Sequence, residues 1–372
     1  MSDFQDLIVR RLEDRIDSGA MSAASVRVER RGELLFEWAG GTRGFDSAAP
    51  PADTESVFHV ASISKSMAAC GVANLIERGL VDADDPVIEY VPEFGSNRKE
   101  GVTLRHCLTH TSGLPDMVPG NIALRKRNAP LSEFMAAACE SRLLFPPGTD
   151  VRYQSSGILM LSEVVERVTG IPFRDHLTDV LFSPTGMTST HLGWRVDFES
   201  RIVLAKVTGG DFEDGSGHDD DDTSHWNHNS PYWREIGSPW AGVHTDTADI
   251  ARLLQLMLDG GRSRSGVNVF EPGTVRMMLQ DYTSAQPGLS TSVRLREGWG
   301  FGWRIQRTGD GGWYGSAVPP GAFGHAGGTG TVAWADPASG VSFVLLTNGL
   351  LDVEGGTLKA CGNIVATALC DV

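Results

Sequence analysis

Residues 56–80 read Ser-Val-Phe-His-Val-Ala-Ser-Ile-Ser-Lys-Ser-Met-Ala-Ala-Cys-Gly-Val-Ala-Asn-Leu-Ile-Glu-Arg-Gly-Leu. A short apolar run leads into Ser62, and the small and apolar residues that follow recur near helical spacing until Gly79. We therefore predict a helix with Ser62 in its first turn. There the positive end of the helix dipole would stabilise an oxyanion.

Lys65 lies three residues after Ser62, so its amine shares a helix face with the serine hydroxyl. The apolar neighbours predict a buried amine, and burial favours the neutral form that can accept the serine proton. This pair has the features of an activated nucleophile. Local pattern alone leaves another interpretation open, in which Ser62 caps the helix and Lys65 is solvated. The same spacing recurs at Ser96 and Lys99, but in a polar run without an apolar helix.

Composition limits the classes of partner. The 372 residues are 41% hydrophobic and 21% charged, which predicts a globular protein large enough for two lobes. A net charge of −15 argues against nucleic acid or an anionic membrane and favours a small-molecule substrate. The five cysteines have neither disulfide-framework nor zinc spacing. The amphipathic N-terminal segment lacks a secretory core and no run is long enough to span a membrane, so we expect a cytoplasmic protein.

Strand patterns occur near both ends of the chain, and helical patterns lie between them. Strands are predicted at 25–30, 33–38, 298–305, 322–327, 332–335 and 341–346. Helices are predicted at 3–18, 103–108, 131–141, 156–169, 173–182, 247–258 and 357–369. We therefore predict an α/β (α+β) fold with one antiparallel sheet built from both termini and flanked by helices. This sheet domain comprises 1–82 and 288–372, and a mainly helical domain, 83–287, is inserted.

Two further segments carry chemistry. Tyr153 ends a Pro/Gly-rich loop and precedes a helix, so we expect a displayed phenol that could relay a proton with Lys65 as its cationic neighbour. The alternative is a structural role, in which the Tyr153 ring packs against the core of the helical lobe. The segment 324–330 reads Gly-His-Ala-Gly-Gly-Thr-Gly, and such glycine density in a strand implies close backbone approach. A dinucleotide-binding loop is not supported, because no strand–helix unit surrounds it. A bulged edge strand with His325 in an ordinary hydrogen bond remains open.

Together these segments resemble the serine β-lactamase and penicillin-binding-protein superfamily. The resemblance is specifically to the branch of class C β-lactamases, family VIII carboxylesterases, D-aminopeptidase-like enzymes and related acyltransferases. Segments 80–86, 108–115 and 147–149 also match the family pattern. The resemblance implies that Ser62 is the nucleophile, Lys65 its base partner and Tyr153 the second proton-transfer group. It also implies an oxyanion hole made by the backbone amides of Ser62 and Gly328.

Two substrate-binding positions depart from the family pattern. The family's Tyr-x-Asn reads Tyr153-Gln154-Ser155, which places a hydroxyl where a carboxamide is usual. The Lys-Thr-Gly of β-lactamases reads His325-Ala326-Gly327. A histidine has no permanent positive charge at neutral pH and would hold the carboxylate of a β-lactam poorly. Trp233 and Trp240 are further candidates for lining an acyl or alcohol pocket.

We therefore expect a serine hydrolase that acts through a Ser62 acyl-enzyme, with a carboxylesterase on small to medium acyl esters favoured. The alternatives are a β-lactamase, a D-amino-acid peptidase or amidase, an acyltransferase to an alcohol other than water, and a non-catalytic ligand sensor. No cofactor or metal is expected, and no Gly-x-Ser-x-Gly elbow is present. The acidic segment 218–228 could bind a divalent cation or remain a solvated loop. The sequence does not indicate the oligomeric state.

Overall fold

A computed structural model describes residues 3–207, 223–307 and 312–370. Within these ranges the chain forms ten strands in two sheets. In chain order they are β1 (Ala23–Arg30), β2 (Glu33–Gly41), β3 (Val57–His59), β4 (His191–Leu192), β5 (Ile202–Val203), β6 (Val243–Thr245), β7 (Arg304–Ile305), β8 (Phe323–Gly327), β9 (Thr331–Asp336) and β10 (Val341–Thr347).

The helices of the described residues lie before, between and after these strands. They are α1 (Asp3–Asp17), α2 (Ser64–Glu77), α3 (Leu104–Leu108), α4 (Asn121–Lys126), α5 (Leu131–Glu140), α6 (Ser156–Thr169), α7 (Phe173–Leu177), α8 (Ser183–Thr185), α9 (Pro231–Ile236), α10 (Thr247–Leu258), α11 (Pro272–Leu279), α12 (Thr291–Arg296) and α13 (Leu351–Leu369). A π-helical turn, Thr178–Phe182, joins α7 to α8. Short 3-10 turns occur at Ala61–Ile63, Val87–Glu89, Pro92–Arg98 and Val196–Phe198.

The main sheet has the strand order β2-β1-β10-β9-β8-β7, and every neighbouring pair is antiparallel. Strand β1 pairs with β10 from Ala24 opposite Thr347 to Arg30 opposite Val341. The first and last strands of the main sheet are therefore neighbours, which confirms the predicted sheet built from both termini. Strand β7 is much shorter than the predicted 298–305, because the chain there turns back on itself and Ile305 donates to the carbonyl of Gly298.

Alternating side chains of β10 supply the core on both faces of this sheet. Phe343 and Leu345 pack with α1 and α13, whereas Val344 and Leu346 face the larger core that contains α2 and α10. Helix α13 begins at Leu351, six residues earlier than the predicted start. Helices thus cover both faces of the sheet. The face that packs against α2 and α10 is the one that carries the helical part of the chain.

A second, smaller sheet was not predicted. Its strand order is β4-β6-β3-β5, and each strand has only two or three residues. Strands this short carry no readable alternation, so their pairing depends on the surrounding fold. Strand β3 matters most, since it leads directly to Ser62. The domain boundaries proposed at 82–83 and 287–288 stay a prediction.

All five cysteines lie in the described ranges, where they are buried and none forms a disulfide bond. No helix in the described part of the chain combines the length and apolarity needed to cross a membrane.

Candidate active site

Ser62 lies in the 3-10 turn between β3 and α2. The preceding Ala61 has a φ of +43°, which is uncommon for a residue with a side chain. Helix α2 begins at Ser64 with Ile63 at its N-cap, and no side chain caps it. Ser62 therefore precedes the helix and does not cap it, in contrast to the predicted position within the first turn. This turn leaves the Ser62 side chain partly exposed at the start of a buried helix.

Lys65 is only 1% exposed, as the sequence predicted. Its Nζ donates to the Oγ of Ser62 at 2.9 Å and to the backbone carbonyl of Trp240 at 3.2 Å. The same Nζ lies 4.6 Å from the centroid of the Tyr153 ring. The structure therefore brings together the three residues proposed from separate parts of the sequence. A buried amine next to a partly exposed hydroxyl is the arrangement that proton abstraction from serine requires.

Tyr153 is partly buried and lies among other rings, whereas the sequence predicted a displayed side chain. The centroids of the surrounding rings are 4.8 Å away for His110, 5.6 Å for Trp313, 5.9 Å for His325 and 6.0 Å for Trp299. Three of these rings escaped the sequence analysis, although His110 belongs to the matched segment 108–115. The φ of +59° at His110 marks a special backbone position.

His325 is fully enclosed by the protein and uncharged at neutral pH. Its Nδ1 donates to the carbonyl of Ala326 at 2.7 Å, and its Nε2 has no hydrogen-bond partner among the described residues. Burial lowers the pKa of His325 to about 3. The nearby guanidinium of Arg304 donates to the carboxylate of Glu297 at 2.6 Å. Position 325 therefore presents a neutral imidazole where the family resemblance places a cation.

The end of β8 packs against the backbone that leads to Ser62. A methyl group at Gly327 would overlap the carbonyl oxygen of Val60, so only glycine permits this approach. Thr329 Oγ1 donates to the carbonyl of His59 at 2.6 Å and holds the following turn in place. Gly328 is exposed, and its amide finds no acceptor within the described residues. An exposed, unpaired amide beside the nucleophile can stabilise a developing oxyanion.

Ser155 and Trp240 meet at a crevice between α4, α5 and α6, whose lining includes Asp116, Asn121, Phe134 and Leu159. Ser155 is 2% exposed, and its Oγ has no partner among the described residues. Trp233 lies behind Trp240, with ring centroids 6.3 Å apart, and its ring packs against the guanidinium of Arg125 at 3.7 Å. The structure therefore brings Ser155 and Trp240 together, and it does not place Trp233 among the lining residues.

The second Ser-x-x-Lys copy has a structural role. Lys99 is buried, and its Nζ donates to the carbonyls of Cys139 at 2.6 Å and Ser141 at 2.8 Å. The Oγ of Ser96 is more distant, at 3.5 Å. The ammonium group of Lys99 thus joins the segment before α3 to the end of α5. Spacing alone does not distinguish this lysine from Lys65, whereas the hydrogen-bond partners do.

His106 and His110 are four residues apart in the sequence, and both make contacts other than metal binding. The Nδ1 of His106 accepts from the amide of Thr103 at 3.1 Å, while His110 faces Tyr153. Residues 218–222 of the acidic segment lie outside the described residues. His225, further along, hydrogen-bonds the carbonyl of Lys126 at 3.1 Å. In the described ranges no group of three or more His, Cys, Asp or Glu side chains is arranged to hold a metal ion.

The sequence model of the family described as Beta-lactamase matches residues 8–360. This protein belongs to the β-lactamase family. Among curated relatives, penicillin-binding protein 4 of Amycolatopsis lactamdurans is 29% identical over 309 residues, which cover 80% of this chain and 73% of the relative. A putative D-alanyl-D-alanine carboxypeptidase of Escherichia coli O157:H7 is 25% identical over 367 residues, covering 91% and 81% of the two chains.

The fold of this β-lactamase family member is also found in solved structures. One of them, EstCE1, described as a hydrolase with promiscuous acyltransferase activity, superimposes with a TM-score of 0.79. The match covers 98% of each chain at 20% sequence identity. The fold and the family thus assign the protein to a group of serine hydrolases. At this level of identity, the particular bond that it cleaves has to be argued from its own residues.

Proposed function

We propose that the protein is a carboxylesterase that cleaves esters of small to medium acyl groups through an acyl-enzyme on Ser62. The observation that carries the proposal is the 2.9 Å contact between Lys65 Nζ and Ser62 Oγ, with the amine buried beside Tyr153. A non-catalytic ligand sensor would have no need of a buried amine held against a partly exposed hydroxyl.

In the proposed acylation step, neutral Lys65 removes the proton from Ser62, and Oγ attacks the ester carbonyl. The backbone amides of Ser62 and Gly328 stabilise the oxyanion of the tetrahedral intermediate. When the intermediate collapses, the carbon–oxygen bond to the alcohol breaks, and the lysine–tyrosine pair returns the proton to the leaving alkoxide. In deacylation, the phenol of Tyr153 passes its proton to neutral Lys65, and the resulting phenolate accepts a proton from water as the water oxygen attacks the acyl carbonyl. The second tetrahedral intermediate then collapses: the bond between the acyl carbon and Ser62 Oγ breaks, the carboxylic acid leaves, Oγ takes the proton from Tyr153, and Lys65 returns the phenol proton.

The preference for an ester over a β-lactam is based on His325. A β-lactam carries a carboxylate that needs a cation nearby, but the pKa of His325 is about 3 and its imidazole is neutral at pH 7. The charge of Arg304 is already paired with Glu297. A neutral acyl ester makes no such demand on the site.

Cleavage of a peptide bond before a D-amino acid is the second candidate function. It is supported by the relatives called penicillin-binding protein 4 and putative D-alanyl-D-alanine carboxypeptidase. Acyl transfer to an alcohol other than water is a variant of the proposed mechanism, because an alcohol could replace water in deacylation. The name of EstCE1 suggests the same possibility.

A comparison of substrates tests the proposal. We expect turnover of p-nitrophenyl butyrate, no measurable opening of nitrocefin, and no release of D-alanine from a D-alanyl-D-alanine peptide. The Ser62→Ala variant is the control and should lose all ester turnover. Faster hydrolysis of nitrocefin or of the peptide than of the ester would overturn the assignment. Product analysis with added alcohols separates transfer from hydrolysis.

We also propose that the protein works in the cytoplasm. The absence of disulfide bonds among the five buried cysteines of the described ranges supports this location, since disulfides are rare in a reducing compartment. Fractionation of the native host with an antibody to the protein would test it, and recovery outside the cytoplasmic fraction would contradict it.

A further inference from the structure

The rings that surround Tyr153 differ in their exposure to solvent. Trp299, His110 and His325 are at most 1% exposed, whereas Tyr153 and Trp313 are both partly exposed. Trp313 packs edge to face against Tyr153, with 5.6 Å between the ring centroids, and against His325 at 5.2 Å. Among the described residues, Trp313 is therefore the neighbouring ring that a substrate can reach beside Tyr153.

The residues that follow Trp313 fix the position of its ring. Tyr314 is fully buried in the core on the α13 side of the sheet, and its hydroxyl donates to the carbonyl of Arg304 at 2.9 Å. A methyl group at Gly315 would overlap Oδ1 of Asn363 in α13, so the chain passes very close to this helix. The Trp313 segment is thus held in place before a substrate arrives, which lowers the entropic cost of binding.

The groups next to the Trp313 ring favour an uncharged ligand. His325 carries a neutral imidazole at pH 7. The guanidinium of Arg304 lies 5.9 Å from the centroid of the Trp313 ring, and its charge is paired with Glu297. An aromatic group of a substrate would gain attraction from edge-to-face or offset contact with the indole, beyond the apolar area that it buries. The surface beside Tyr153 is therefore suited to a neutral aromatic ring.

The proposed mechanism decides which half of the ester meets Trp313. The lysine–tyrosine pair returns a proton to the leaving alkoxide, so the alcohol oxygen must lie within hydrogen-bond reach of Lys65 or Tyr153. The carbonyl oxygen lies instead against the backbone amide of Gly328. The group attached to the alcohol oxygen is therefore on the Tyr153 side of the site, where Trp313 is the accessible ring.

We propose that Trp313 is a specificity-determining residue that contacts the alcohol half of the substrate and selects esters of aromatic alcohols and phenols. The inference rests on the proposed esterase function and names the class of leaving group. In the transition state, the ring of the alcohol packs on the exposed part of the indole. A saturated ring of similar size occupies the same space without the aromatic contact, so its ester is a poorer substrate.

The test compares kcat/KM for two butyrate esters that differ only in the alcohol ring, benzyl butyrate and cyclohexylmethyl butyrate. Each enzymatic rate is divided by the rate of hydroxide-catalysed hydrolysis of the same ester, which corrects for the reactivity of the leaving group. We expect a preference of about three- to tenfold for the benzyl ester, the usual contribution of one aromatic pair. Equal corrected rates in the wild type would overturn the inference.

Two variants and a control locate the preference. Trp313→Leu removes the indole but keeps an apolar side chain, so the benzyl preference should fall towards one while the cyclohexylmethyl ester is still hydrolysed. Trp313→Phe restores an aromatic ring and should retain most of the preference. Trp194→Leu is the matched control, because Trp194 is also partly exposed but packs against Phe198 and His244. Its ratio should equal that of the wild type, and a wild-type ratio in Trp313→Leu would refute the inference.

A second pair of substrates separates the two halves of the ester. Methyl phenylacetate and methyl cyclohexylacetate carry the ring on the acyl side, so their ratio should be the same in Trp313→Leu and in the wild type. A ratio that depends on Trp313 for this pair and not for the butyrate pair would overturn the inference by placing the indole at the acyl half. No turnover of any ester would refute the esterase proposal as well.

Discussion

Acidification should unfold this protein at a pH where ordinary domains remain folded. Four histidines are buried in two groups: His110 and His325 lie beside Tyr153, and His59 lies against His244 on the neighbouring strand. Burial lowers the pKa of His59 from 6.5 to about 4 and that of His325 to about 3, and it lowers the other two pKa values well below 6.5. Because each pKa is lower in the folded state, the unfolded chain binds more protons below pH 6.5. The stability is therefore complete above pH 6.5 and is lost as the pH falls.

The size of the effect follows from the pKa shifts. Folding lowers the pKa of a histidine such as His59 from 6.5 to about 4. As the pH falls over that interval, this one group lowers the free energy of unfolding by about 3 kcal/mol, since one pKa unit corresponds to about 1.4 kcal/mol. Four such groups give a slope of up to about 5 kcal/mol per pH unit below pH 6.5. That slope consumes the usual stability of a domain, about 5 to 15 kcal/mol, within one to three pH units. We therefore expect an acid midpoint between about pH 3.5 and pH 5.5.

The assay is urea unfolding followed by tryptophan fluorescence at pH 7.5, 6.5, 5.5 and 5.0. His59→Gln keeps a donor within reach of the Ala241 carbonyl, to which His59 Nε2 donates at 2.6 Å, but it cannot titrate. The slope of the variant should be about 1.4 kcal/mol per pH unit smaller than that of the wild type. Replacement of the exposed His225 by glutamine is the control. A wild-type free energy of unfolding that is flat from pH 7 to pH 5 would refute the reasoning.

Three further predictions concern single side chains. Lys65→Met should lower kcat for an ester at least a hundredfold, because it removes the base. Lys99→Met should leave kcat unchanged and lower the free energy of unfolding by about 1 to 3 kcal/mol, because two carbonyls lose their donor. Equal loss of activity in both variants would contradict the distinction. Tyr153→Phe keeps the ring beside Lys65 and should reduce kcat at least a hundredfold without a change in circular dichroism; a wild-type rate would exclude the phenol from proton transfer. Gly327→Ala should lower both stability, by about 1 to 3 kcal/mol, and ester turnover, because the methyl group displaces β8 from Val60; a melting temperature equal to that of the wild type would show that the strand does not lie this close.

The main sheet could be predicted because its strands carry their own signals. The apolar residues of β10 and β9 flank a Gly-containing turn at 336–340, and the N-terminal hairpin alternates around Arg31 and Gly32. Strands β3 to β6 have only two or three residues each, so their pairing is decided by tertiary contacts. Helix α4 was missed because its six residues show no apolar period, and it begins after Gly120 in the left-handed conformation.

The candidate site was predictable where chemistry depends on local spacing. Ser62 and Lys65 are three residues apart, and the family resemblance added Tyr153. The rings of Trp299 and Trp313 could not be anticipated, since they approach Tyr153 from a distant part of the chain. For the same reason, the sequence grouped Trp233 with Trp240, although only Trp240 lines the crevice.

The most direct test of the account is the identity of the residue that becomes acylated. The protein is treated with a serine-directed alkyl phosphonate, and the modified peptide is sequenced by mass spectrometry, with Ser96→Ala as the control for the second Ser-x-x-Lys copy. We predict a single adduct on Ser62, absent in Ser62→Ala and undiminished in Ser96→Ala, with ester turnover lost in proportion to labelling. An adduct on any other residue, or a Ser62→Ala protein that still hydrolyses p-nitrophenyl butyrate, would contradict the account.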